Sequence, residues 1–193
     1  MKRKKLIKIQ IIFIFITFTL TFFIHNGYEL FNKIFLLIPF FPVNESLFEH
    51  LKIFYTSYLI SDFIKYFILK KNDIIFNNYK ISILINIISS IIIFLSIYLP
   101  INLIIKHSLI ITLILLFISI SLTSFINYKI LINNNFQNIN NYSYLILLLI
   151  LFILTYFTFN PLKTNFFIDK NNNKIGLKNL YKKKSITAFF VHF

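Results

Sequence analysis

The ten residues Val43 to Lys52 read "VNESLFEHLK" and hold two glutamates, a histidine, an asparagine, a serine and a lysine. Around them the chain is dominated by Ile, Phe and Leu. Carboxylate and imidazole groups at this density suit general acid–base work, with Glu45 or Glu49 as base and His25 or His50 as ligand or acid, or ligation of a divalent metal. Oxygen and imidazole donors match zinc, manganese or iron. The chain has no cysteine, so thiolate ligands and thiolate nucleophiles are excluded. It also has no H-E-x-x-H pattern. A divalent metal is the cofactor these residues could hold, and no motif specifies it. The other polar residues that join the set are His25, Glu29 and His107. The candidate ligand-binding residues are therefore His25, Glu29, Asn44, Glu45, Glu49, His50, Lys52 and His107.

Spacing constrains the set. Ser46-x-x-Glu49 has the form of a capping box, with Ser46 as N-cap and Glu49 reaching back to it, so a helix is expected from Leu47 to about Leu69. Glu45, Glu49 and Lys52 recur at i, i+4 and i+7 and share one stripe of that helix. His50 points about 100° away from Glu49. A metal is then expected to take Glu45 and Glu49 together with His25 from the preceding loop. The plainer reading is a helix cap with Lys52 as an interfacial anchor, its ammonium reaching to water. That reading leaves Glu45, His50 and His25 without an explanation; if instead Glu45 and Glu49 face a polar pocket, Glu49→Gln is expected to leave the fold and the cap largely intact while abolishing function. Asp62 stands three residues before Lys65 and reads as half of a structural ion pair.

The elements that position these residues are set by hydrophobicity. Of 193 residues, 58% are hydrophobic, with two Gly and four Pro. That composition does not make a soluble domain of this size. Apolar runs over Ile9–Ile24, Leu47–Leu69, Ile81–Leu99, Ser108–Phe125 and Tyr144–Phe159 are expected to be membrane-spanning helices. Pro100 is expected to stop the third and Pro161 to follow the fifth. The run Ile34–Phe41 is too short to cross and is expected to lie at the interface or re-enter partway. The fold class is thus all-α, an integral membrane helical bundle of about five transmembrane helices. Residues 1–176 are expected to form one membrane-embedded domain, followed by a basic tail over 177–193. The partner implied by the composition is the lipid bilayer. The net charge of +14 does not indicate nucleic acid, because most lysines flank apolar runs.

Lysine and arginine cluster before the first run and around Lys70, Lys71 and Lys80, which places the N-terminus in the cytoplasm of a cell-membrane protein. The lysines of the tail oppose this orientation if there are five spans. Threaded this way, the loop from His25 to Glu45, the start of the second helix and His107 share the outer face.

"PVNESLFEHLK" (Pro42 to Lys52), preceded by His25 and Tyr28-Glu29, resembles the signature of a family of small bacterial multi-pass membrane proteins of unknown function. "FTFNPLKTNFFIDKNNNKIG" (Phe157 to Gly176) is similar to that family's pattern of a last span, a proline, an aromatic, an aspartate and a glycine. Phe48 stands where the family's tryptophan is expected and keeps its apolar role. The resemblance covers about Leu6 to Gly176; it implies architecture and motif boundaries, with no activity attached. Three functions fit these observations: an outward-facing Glu/His ligand or metal site, hydrolytic if catalytic; a small-solute transporter, which needs polar residues along its spans such as Asn86, Ser89, Ser90 and Ser119–Thr123; or a membrane assembly factor that uses the motif for docking to a protein.

Overall fold

The computed structural model describes residues 2–74, 76, 78–105, 108–133, 137–169, 171 and 175–177. His107, Lys106 and the tail from 178 onward lie outside these residues. The described chain is all-helical: α1 (Lys2–Leu30), a 3-10 turn (Phe35–Leu37), α2 (Leu47–Lys71), α3 (Tyr79–Ile104), α4 (Leu109–Ile132), a four-residue α5 (Gln137–Asn140) and α6 (Ser143–Phe159). The one β feature among the described residues is a single antiparallel bridge between Ile168 and Ile175.

The five expected helices are all present, and several run further than their apolar cores. The helix α1 continues through His25 to Leu30, so His25 and Glu29 are helical rather than part of a loop. It ends where Asn32 and Lys33 adopt positive φ (53° and 59°). The helix α3 continues past Pro100 to Ile104. Proline removes one amide donor but does not prevent the next carbonyls from being used, so one more turn forms.

Among the described residues, three helices are long and apolar enough to cross a membrane: α1, α3 and α4. At 1.5 Å per residue α3 and α4 measure about 36–39 Å, against a hydrocarbon core of about 30 Å. The helix α6 is apolar but shorter, at 17 residues. The helix α2 has the length, and differs by carrying Glu49, Lys52, Asp62 and Lys65.

The chain divides into two compact units, residues 1–23 with 54–148, and residues 24–53 with 149–193. In the first, α3 and α4 pack on each other, and Phe15 and Phe18 of α1 meet Phe117 of α4. Its polarity is inverted relative to a soluble protein. Gln10, Thr17, Asp62, Lys65, Asn86, Thr123 and Asn127 are buried, while Ile11, Phe15, Phe63, Phe67, Ile114 and Leu122 are exposed. Helices whose outward face is greasier than their inward face suit lipid.

The second unit has a small apolar core of Tyr28, Ile38 and Leu177, with Phe41, Val43 and Phe159 against it. A Cβ on Gly27 would collide with the Phe41 ring, so only glycine lets that ring lie where it does against the α1 backbone. Gly176 has φ +56°, and a Cβ there would come within 2.7 Å of Pro161 Cγ and Thr158 O. Phe48 stacks on Phe167 (4.4 Å, 24°), and its N–H donates to Phe166 O at 3.0 Å. The motif and the segment after α6 therefore fold as one body.

Candidate functional site

The motif starts α2 as its sequence implies, with one change in wiring. The Glu49 N–H donates to Ser46 Oγ at 3.3 Å, which is the N-cap bond. The return half of a capping box is absent. Ser46 N–H donates to Asn44 Oδ1 (2.9 Å), and Glu49 is directed elsewhere. Its Oε2 accepts from Val43 N–H (3.1 Å) and from Lys52 Nζ (2.7 Å), and its Oε1 accepts from Thr158 Oγ1 (2.7 Å). Lys52 Nζ also donates to Ile38 O at 2.8 Å. Both side chains are buried, Lys52 completely.

This corrects two expectations. Lys52 is not a snorkelling anchor: its ammonium is held inside by a carboxylate and a carbonyl. Glutamine at 49 would not be innocuous, because it removes the buried counter-charge of Lys52. Glu49 and Glu45 also do not share a pocket. Glu45 precedes the helix and faces the other way, since the i, i+4 relation holds only within a helix.

Glu45 lies instead between two histidines. Its Oε2 is 3.8 Å from His25 Nε2 and 3.5 Å from His50 Nε2. The imidazole centroids are 5.2 Å apart and inclined by 36°. One donor atom from each of the three residues falls within 4.8 Å of the others, and all three side chains are partly exposed. His50 is oriented by its own helix start, where Nδ1 lies 2.7 Å from Ser46 O. A carbonyl accepts only, so Nδ1 carries a proton, and Nε2 is the ring atom turned towards Glu45. His25 has no such orienter, for its Nδ1 is buried without a hydrogen-bond partner among the described residues.

The remaining candidates are dispersed. Glu29 is mostly exposed and pairs with Lys33 at 3.8 Å. Asn44 braces the connection, donating to Gly176 O at 3.4 Å. His107 lies outside the described residues. Asp62 and Lys65 form the expected pair, at 2.5 Å. Sequence reasoning missed Thr158, Gln10 and Asn127. The last two carried a signal in being isolated amides within apolar runs.

The fold and its inverted polarity define a helical bundle of membrane type with a Glu/His cluster in one unit. The chain belongs to a family of unknown function (DUF6512), whose model matches residues 1–177. No curated protein and no solved structure matches the chain.

Proposed function

We propose that this chain is an integral membrane protein of five spans that binds one divalent transition-type cation through His25, Glu45 and His50, on the outer face. The separation of the donor atoms carries this reading. Two ligands at about 2.0–2.1 Å from a tetrahedral ion lie about 3.3 Å apart. The two separations between Glu45 and the imidazoles, 3.5 and 3.8 Å, are close to that value. Three protein ligands leave coordination positions open, the arrangement of a site that takes up water or substrate rather than a closed structural one. Span number is supported by charge compensation. The four buried charged residues of α2 form two neutral i,i+3 pairs, so the helix need not bury a net charge. The lysines before α1 and after α2 support a cytoplasmic N-terminus.

The test is elemental analysis and zinc titration of the purified chain. One ion per chain is expected, with Glu45→Gln weakening it at least tenfold. Zinc binding below one per chain in the wild type, or unchanged in Glu45→Gln, removes the proposal. A second reading, transport of a small solute, gains from the buried polar groups that α1, α2, α3 and α4 gather in the first unit.

A further inference from the structure

The interior of the first unit holds a polar assembly independent of the His25 cluster. Asp62 Oδ1 meets Lys65 Nζ at 2.5 Å, and Asp62 Oδ2 accepts from Asn86 Nδ2 at 2.7 Å. Asn127 Oδ1 accepts from Gln10 Nε2 (2.6 Å) and, at 3.4 Å, from Lys65 Nζ. Asn127 Nδ2 is directed at Ser82 O (3.3 Å). These groups surround a small cavity that Tyr58, Thr17 and Ser124 also line.

A donor–acceptor balance shows what that cavity lacks. Each amide NH2 group around it, those of Gln10, Asn86 and Asn127, already donates to a protein oxygen. Each NH2 keeps a second N–H, but the polar atoms at the cavity left with no partner at all among the described residues are oxygens. Asn86 Oδ1 is buried with no partner among the described residues. The Tyr58 hydroxyl faces those of Thr123 and Ser90 but completes no hydrogen bond of normal geometry. A buried carbonyl oxygen left unsatisfied is costly, and more so in lipid. A carboxylate, an amide oxygen and a phenol oxygen are hard ligands, the set that takes alkali or alkaline-earth cations. With Lys65 present the site is neutral overall, which favours a single positive charge over two. The lysine has somewhere to go, since Asn127 Oδ1 lies 3.4 Å from Nζ and the Phe13 ring centroid 5.8 Å.

We infer that this cavity is a binding site for a monovalent alkali cation held by Asp62, Asn86 and Tyr58, with the Lys65 ammonium as its built-in competitor. Ion binding moves Lys65 from Asp62 towards Asn127; ion release lets the ammonium return. Such an exchange is what would couple a cation to movement of the helices in a membrane protein.

The experiment uses the full-length chain in detergent with a chelator, so that the His25 cluster does not contribute. Circular-dichroism melts are recorded in equal concentrations of sodium, potassium, lithium and choline chloride. One alkali cation is expected to raise the midpoint over choline by about 2–4 °C, by linkage to the folded state. Asp62→Asn should abolish the difference. Lys65→Met should enlarge it, because the competitor is gone while the carboxylate remains. Equal midpoints in all four salts for the wild type overturn the inference, as does an undiminished shift in Asp62→Asn. A shift confined to Lys65→Met also overturns it for the native chain, since the ion then only replaces a lost ammonium. If Lys65→Met does not fold, the wild type and Asp62→Asn still decide.

Discussion

Two acid–lysine pairs stand on α2 at the same i,i+3 spacing and are wired differently. Around Glu49 and Lys52 every strong group is matched: the carboxylate receives a hydroxyl, a backbone N–H and the ammonium, and the ammonium has a backbone carbonyl besides. Around Asp62 and Lys65 the partners are other side chains, and an amide oxygen is left over. The first cluster ties the N-terminus of α2 to α6 and to the 3-10 turn, and none of its buried side-chain polar atoms lacks a partner. The second keeps unspent ligand oxygens beside a cavity. The difference teaches that burial of a charge does not by itself mark a functional site; unspent capacity next to the buried charge is the better sign.

The largest expected effect follows from the closed pair. Glu49→Ala strands a buried ammonium, and should destabilise the folded protein by about 3–5 kcal/mol, read as loss of folded chain extracted from membranes. Glu49→Gln combined with Lys52→Met removes both charges and should recover most of that loss. If Glu49→Ala melts like the wild type while Asp62→Ala does not fold, the closed and open assignments are reversed.

A smaller effect separates the two histidines that face Glu45. His50 is held by the Ser46 carbonyl and His25 has no orienter, so His50 is the better prepared ligand. His50→Ala should lower zinc affinity about 10–100-fold, and His25→Ala less, in a competition titration with a colorimetric chelator. Equal losses would show that orientation by Ser46 O contributes nothing. The smallest effect is at the cap itself. Ser46→Ala removes the hydroxyl that receives the Glu49 N–H and should cost about 1 kcal/mol, a melting shift of about 2–4 °C. Because His50 is oriented by the Ser46 backbone rather than its side chain, zinc affinity should be unchanged within twofold.

Much of the fold was legible before any coordinates. Uninterrupted apolar runs in α1, α3, α4 and α6 allow no other structure than helix where the solvent is lipid, and Ser46 announced the start of α2. Helix ends were less legible. The His25–Leu30 stretch carries polar residues and a glycine, and reads as loop, yet it continues α1, with the Phe41 ring lying against Gly27. The candidate site was legible as residue types in one window, and the grouping within that window was not. Glu45 and Glu49 fall on one stripe only if both are helical, and Glu45 is not.

The sequence by itself determined the all-helical class, the lipid-suited composition and the place where polar chemistry concentrates, because these depend on local hydrophobicity and on capping within a few residues. Only the tertiary structure decided which partner each charge meets. Thr158 reaches Glu49 across 109 positions of sequence and Gln10 reaches Asn127 across 117. A hydrogen bond is made over about 3 Å of space, and no periodicity along a chain records which helices come that close.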